Sequence, residues 1–289
     1  MYKIFKKQAL SDSIYLMDVK ADRVAKSCYP GQFVIVKMDE KGERIPLTVC
    51  DYDRENGTVT IVFQVVGAST EKMAQLNEGD SFRDFVGPLG NATETEGVKN
   101  VCVVGGGVGC AIAMPVAEKF AKDKANVTSV IGFRNKDLVI LEDEFKKASK
   151  ELVVMTDDGS YGLKGNVNDM IKELINNQGK KYDLVIAIGP VIMMKFVSLL
   201  TKELGIPTVV SMNPIMVDGT GMCGACRLTV GGEVKFACVD GPEFDGHLVD
   251  FDQAMKRQQQ YKTEEGRAKL AYEEGATHHG GCGHCGGDK

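Results

Sequence analysis

Four residues near the C-terminus have types and spacing that suit metal chemistry. Asp218, Cys223, Cys226 and Cys238 follow the pattern D-x4-C-x2-C-x11-C. One-loop [2Fe–2S] sites run C-x4-C-x2-C with a more distant fourth cysteine, so only the first ligand differs here. Gly219, Gly221 and Gly224 let the loop wrap closely and aim backbone N–H groups at sulfur. Three readings compete. A zinc ion accepts three thiolates and one oxygen, although structural zinc usually pairs two close-spaced knuckles and only one is present. A degraded loop is not expected to keep three well-spaced cysteines. A [2Fe–2S] cluster with Asp218 as fourth ligand fits both spacing and charge. Carboxylate is a harder ligand than thiolate and would alter the cluster's potential.

A second group of residues suits phosphate and sugar binding. "VVGGGVGCA" ends a predicted strand and opens a predicted helix, where glycines admit a pyrophosphate and the helix N-terminus supplies free N–H groups. Gly105, Gly107 and Cys110 occupy the three slots of G-x-G-x-x-G, so the dinucleotide fingerprint fails at its last glycine. "TDDGSYG" follows a later strand. Asp157 or Asp158 can accept from a ribose hydroxyl and would repel a 2′-phosphate, and this loop has no arginine to hold one. NAD(H) is therefore favoured over NADP(H), while a plain helix cap is the competing reading for either acid alone. Upstream, "RIPLTVCDY" and "VVGASTEKM" pair an arginine with a glycine-hydroxyl turn; either alone is a weak signal.

These residues need elements to position them. "SIYLMDVK", "GQFVIVKM" and "GTVTIVFQVV" read as strands, the last after an Asn56-Gly57 turn. They predict an antiparallel barrel over residues 1–96, with one short helix in "KMAQLNEGDSF". From about Val98, apolar strands alternate with helices, which predicts a parallel-sheet α/β domain over 97–210. Residues 211–250 form the cysteine-loop domain, and 251–289 a helical and polar tail. The helical stretch Asp252–Glu274 is expected to dock a partner. "HHGGCGHCGG" places Cys282 and Cys285 among His278, His279 and His284, where a metal or a plain Gly-rich tail are both open.

Composition sets the outer limits. The chain has 289 residues, 43% hydrophobic and 26% charged, with net charge −5. Nothing in that balance points to nucleic acid or an anionic membrane. No apolar run reaches the roughly 18 residues of a membrane span, and the N-terminus does not read as a signal peptide. Nine cysteines, five of them clustered, suit a reducing cytoplasm. Cys28, Cys50, Cys102 and Cys110 read as buried small hydrophobes.

The order of motifs resembles the ferredoxin–NADP⁺ reductase superfamily: R-x-P-[LYF]-[ST], then G-x-x-[ST], then G-G-G-[VI]-G. The cysteine loop narrows it to the group holding the dihydroorotate dehydrogenase electron-transfer subunit, the sulfide dehydrogenase small subunit and the small subunit of NADH-dependent ferredoxin:NADP⁺ oxidoreductase (Nfn type). The resemblance implies FAD held by Arg44, Pro46, Leu47 and Thr48, with Arg44 at the pyrophosphate and Thr48, the candidate catalytic residue, near the isoalloxazine. It implies Phe63, Gln64 and Val65 along the flavin and Gly67, Ser69 and Thr70 on its phosphates. NAD(H) would lie on Gly106, Gly107, Val108 and Gly109, with Arg134, Asn135, Asp157, Asp158, Gly159, Gly189 and Pro190 in the same crevice. Hydride would pass between nicotinamide and flavin, and single electrons between flavin and cluster. Aspartate in the first ligand slot resembles the Nfn type, which implies a heterodimer with a larger flavin/iron–sulfur subunit, electron bifurcation, and ferredoxin reached through that partner. A dihydroorotate or sulfide dehydrogenase subunit is the alternative, and a non-catalytic metal-binding module on the same scaffold is a more distant one.

Overall fold

Seven strands build the N-terminal unit, and their order forces it to close. In the computed structural model, which describes residues 1–274, these are β1 (Tyr2–Ser11), β2 (Ile14–Lys20), β3 (Phe33–Lys37), β4 (Ile45–Asp53), β5 (Thr58–Gln64), β6 (Ser81–Phe82) and β7 (Asp84–Leu89). They pair antiparallel in the order β6-β1-β2-β5-β4-β3-β7. β6 and β7 form opposite edges, yet only Arg83 separates them in the chain. The sheet therefore curls until its edges meet, as a barrel. Helices α1 (Asp22–Ser27) and α2 (Ala68–Gln75) bridge strands. α2 begins upstream of the stretch where the sequence suggested a helix. Gly67 supplies its cap, and the Thr70 hydroxyl accepts from the Gly67 N–H at 3.0 Å.

The second unit is a doubly wound sheet. It holds β8 (Asn100–Gly106), α3 (Gly109–Lys122), β9 (Asn126–Phe133), α4 (Glu142–Ala148), β10 (Glu151–Thr156), β11 (Leu163–Lys164), α5 (Val167–Lys172), β12 (Leu184–Ile188), α6 (Val191–Glu203) and β13 (Thr208–Ser211). Spatial order is β11-β10-β9-β8-β12-β13, parallel throughout, with β16 (Glu243–Asp245) added antiparallel at the far edge. The winding reverses between β8 and β12. Outside the carboxyl ends of those two strands a ligand crevice is expected. No helix among the described residues is long and apolar enough to cross a membrane.

The cysteine region is less separate than its sequence suggests. A hairpin of β14 (Arg227–Val230) and β15 (Glu233–Phe236) carries it, but β16 belongs to the nucleotide sheet through Ser211 opposite Glu243. The chain then forms α7 (Phe251–Arg257) and α8 (Lys262–Glu273), two helices where one stretch was expected. α8 buries no residue of its own. It returns to the barrel, where the Gln75 amide donates to the Tyr272 hydroxyl and Lys72 lies over the Tyr272 ring. The stretch proposed for partner docking thus has a seat within its own chain. The Cys282 and Cys285 tail lies outside the described residues.

Three apolar clusters share walls. Val34 and Val36 point into the barrel core with Val59, Ile61 and Phe63. Phe33 and Ile35, on the opposite face of β3, pack with Val104, Val210, Met212, Cys226 and Cys238. Ile14, Cys50 and Val62 of the barrel join α3 in a third cluster. Cys28, Cys50, Cys102 and Cys110 are buried, and burial pushes the thiols of Cys28, Cys50 and Cys102 up to about 11, 12 and 12.

Where barrel, linker and sheet edge meet, the half-buried Glu243 accepts from the Thr93 hydroxyl at 2.7 Å. Burial pushes its carboxyl up to about 7 from 4.5. The folded protein therefore holds this proton more tightly than the unfolded chain. Its contribution to stability is full below about pH 4.5 and is lost as pH rises to about 7. Glu243→Gln should flatten this slope, so the variant gains melting temperature relative to wild type more at pH 8 than at pH 5. Parallel pH profiles for the two proteins would refute the assignment.

Candidate functional site

A cleft of about 1110 Å³ opens between the barrel and the carboxyl edge of the parallel sheet. Its floor is the switch point. β8 ends at Gly106 and passes through Gly107-Val108, and β12 ends at Ile188 and passes through Gly189-Pro190, each turn leading into a helix. These turns touch. A Cβ on Gly109 would stand 2.6 Å from the Ile188 carbonyl oxygen and 2.7 Å from Gly189 Cα. Glycine is thus required for packing one turn against the other. Cys110 in the last fingerprint slot is tolerated because it starts the buried side of α3. Neither α3 nor α6 has a side-chain cap at its N-terminus. At α3 the Gly107 N–H donates to the Gly132 carbonyl and the Cys110 and Ala111 N–H groups close onto Gly107 and Val108, so Val108 and Gly109, with the first turn of α6, supply the donors a pyrophosphate needs.

The nucleotide side of the cleft holds Gly106, Gly107, Val108, Gly109, Arg134, Asp157, Gly189 and Pro190 of the expected residues. Asn135, Asp158 and Gly159 do not line it, and Asp158 and Gly159 are exposed. Two hydrogen bonds from Ser160 hold the Asp158 carboxylate below the usual carboxylate range, so this acid orders its own loop. Arg134 adjoins Asp157, its carbonyl accepting from the Asp158 N–H at 3.3 Å. The arginine lacking from the aspartate loop is thus supplied by the neighbouring one. Lys172 and Asn168 also line the cleft. Sequence reasoning missed them, although α5 starts at the same carboxyl edge and the crevice rule would have selected it. Asn166 caps α5 by accepting from Asn168 and Asp169 N–H, while the buried Asn168 Oδ1 has no partner among the described residues.

The barrel side is sorted by strand alternation. Gln64 faces the cleft, whereas Phe63 is buried in the barrel core and stacks on Tyr15 at 5.8 Å. Val65 packs against that same core. Pro46 and Thr48 line the cleft together with Phe33, a residue the motifs did not flag; Leu47 points the other way. Around α2, the Thr70 hydroxyl is committed to Val66 and Gly67, and the Ser69 hydroxyl to Glu43. At Gly67 an added Cβ would meet nothing within 4 Å, so open space lies against its backbone. Pro46, Thr48 and Gln64 against the facing glycines make a slot suited to a flat ring system.

Arg44 has a different place. Its Nε donates to the Val217 carbonyl at 2.6 Å and its Nη2 to the Asp218 carbonyl at 3.2 Å. It does not line the cleft.

The cysteine loop presents its four candidate ligands as two pairs. Cys223 Sγ lies 3.4 Å from Asp218 Oδ1, and Cys226 Sγ lies 3.3 Å from Cys238 Sγ. Among the described residues no group of three or more His, Cys, Asp and Glu side chains surrounds one metal-sized point. Two pairs suit two bridged irons, each taking two protein ligands, better than one tetrahedral zinc. Hydrogen bonds from Thr220, chiefly its backbone, and from Cys223 hold the Asp218 carboxyl down at about 2. Burial and the Cys226 thiol push Cys238 up to about 12, so metal binding must displace that proton. Gly219, at φ +80°, leaves no room for a side chain: a Cβ would stand 2.7 Å from both Ile35 Cδ1 and Leu89 Cδ1 of the barrel. Cys223 and Met222 are exposed, Met222 at 88%.

Comparison with known proteins matches two parts of the chain to known domains. Residues 213–250 match the iron–sulfur cluster binding domain of dihydroorotate dehydrogenase B, and residues 103–199 match the oxidoreductase NAD-binding domain. A Thermotoga maritima homolog of the dihydroorotate dehydrogenase B (NAD(+)) electron transfer subunit is 49% identical, covering 94% of each chain. The Desulforamulus reducens electron transfer subunit is 32% identical over 86% of this chain and 99% of its own. A solved structure of the NADH-dependent reduced ferredoxin-NADP oxidoreductase, concerned with flavin-based electron bifurcation, aligns with TM-score 0.89 and 47% identity, covering 96% of this chain and 98% of that one.

Gly109→Ala should separate the two turns and weaken NADH binding roughly tenfold or more, read by fluorescence titration. An unchanged Kd would show that the turns need not touch.

Proposed function

Given that the chain belongs to the family of dihydroorotate dehydrogenase B electron-transfer subunits and their homologs, a branch of the ferredoxin–NADP⁺ reductase fold, we propose that it is the NAD(H)-handling subunit of an electron-bifurcating, NADH-dependent ferredoxin:NADP⁺ oxidoreductase. It is an oxidoreductase subunit whose cofactors are FAD, an iron–sulfur cluster and NAD(H). The observation that carries the finer reading is Asp218 paired with Cys223 on a loop that is bonded to the flavin barrel.

FAD, when bound, converts the two-electron chemistry of a nicotinamide into single electrons. The protein's own residues do the rest. Pro46, Thr48 and Gln64 flank the ring slot, and the open backbone at Gly67 receives phosphate. Gly106, Gly107, Val108 and Gly109 form the turn under the nicotinamide dinucleotide, with Val108 and Gly109 supplying its backbone N–H groups and Gly189 and Pro190 opposite. These residues would hold the flavin and nicotinamide rings in one cleft, so that proximity replaces a diffusional encounter. Asp157 takes the ribose hydroxyl and selects NAD(H), against the pull of Arg134. Asp218, Cys223, Cys226 and Cys238 ligate a [2Fe–2S] cluster. The exposed edge at Met222 and Cys223 suits approach of a larger flavin/iron–sulfur subunit, through which ferredoxin would be reached. The domain division at 1–96, 97–210, 211–250 and 251–289 follows the same assignment of cofactors.

Anaerobically purified protein should show flavin absorption and, after reduction, the EPR signal of a two-iron cluster. Both Asp218→Cys and Asp218→Ala should alter that signal or the iron content. An unchanged spectrum in Asp218→Ala removes the aspartate from the site, and a zinc-bearing protein without flavin defeats the reading as a whole. Turnover should favour NADH over NADPH, and Asp157→Asn should narrow the gap by roughly tenfold, about the value of one charged hydrogen bond. Equal use of both nucleotides by the wild type would refute the assignment of Asp157.

A further inference from the structure

We propose that Arg44 is a positioning residue for the cluster: it ties the flavin barrel to the loop carrying Asp218 and favours electron uptake there. This rests on the cofactor reading above. Arg44 stands at the mouth of β4, just before Pro46 and Thr48, which line the cleft. Its guanidinium reaches across 173 residues of sequence to the Val217 carbonyl and across 174 to that of Asp218. One strand end thus touches both the ring slot and the cluster loop. Beside it Gly219 seats against Ile35 and Leu89, so the loop is pressed to the barrel where Arg44 holds it. From the other side Arg257 of α7 donates to the Ala225 carbonyl at 3.2 Å. The loop is gripped by arginines from two different elements.

The charge has a direction. Arginine stays protonated at any working pH. Three thiolates and a carboxylate already make the loop strongly negative, and one added electron deepens that charge. A fixed, half-buried cation beside it offsets the increase, as hydrogen bonding and local charge tune cluster potentials elsewhere. The fork also matters, because two adjacent carbonyls are met by two donors held in one plane.

The test is an EPR-monitored redox titration of the full chain, with iron, acid-labile sulfide and FAD measured on each sample. Arg44→Gln should keep FAD and iron and shift the one-electron equilibrium about tenfold against the cluster, or about 59 mV. Arg44→Lys, which keeps the charge, should recover most of that shift. A fully loaded Arg44→Gln with the wild-type midpoint overturns the proposal. So does loss of FAD with an unchanged cluster midpoint, which would place Arg44 on the flavin pyrophosphate. If Arg44→Gln loses iron, Arg44→Lys decides: a loaded cluster supports the proposal, and unfolding of both variants overturns it in favour of a scaffold role. Absence of any two-iron cluster from the wild type would defeat the functional reading instead.

Discussion

β3 is buried on both faces, and the rest of the molecule is arranged around that fact. Val34 and Val36 fill the barrel, while Phe33 and Ile35 fill the space shared with the nucleotide sheet and the cysteine loop. Full burial of each such side chain contributes about 1.5–3 kcal/mol. The same four residues therefore stabilise three structures. They also fix distances, since Phe33 lines the cleft and Ile35 meets Gly219 of the cysteine loop. A shift of one residue in β3 register would swap these faces and separate slot from loop.

The two glycine turns impose a second constraint of similar kind. Because Gly109 and Gly189 leave no room between β8 and β12, the helix starts above them converge on one crevice. The backbone N–H groups of Val108 and Gly109 at this point do not depend on side-chain identity. The side chains around the crevice are then free to select, and Asp157, Arg134 and Lys172 give it mixed charge.

Much of this was legible in the sequence, for identifiable reasons. Strand and helix periods are local, so the barrel, the alternating α/β unit and the ligand spacing of the cysteine loop could be read directly. "FVIVK" is a continuous apolar run, the mark of a strand covered on both sides, though not of what covers it. What failed to show was long-range. Nothing local distinguishes Phe63 from Gln64 as wall or core until the barrel's inner face is known. Nothing near Arg44 announces a hydrogen-bond partner at Val217. The hydroxyls of Ser69 and Thr70 suited a phosphate by type, yet Thr70 bonds the turn before α2 and Ser69 reaches Glu43 in the connection between β3 and β4. β16 reads as part of the cysteine region but pairs with β13, because sheet membership depends on an edge formed far earlier in the chain.

The return of α8 to α2 bears on how the chain is made. Gln75 and Tyr272 are 197 residues apart, and that contact cannot form until the chain through Tyr272 has left the ribosome. The barrel strands pair locally and can condense first, followed by the α/β unit, in the usual order of vectorial synthesis. Fastening of α2 by the C-terminal helix comes last. α2 is thus secured only after α8 has been made, so a product truncated before α8 would carry a folded barrel with an unfastened helix.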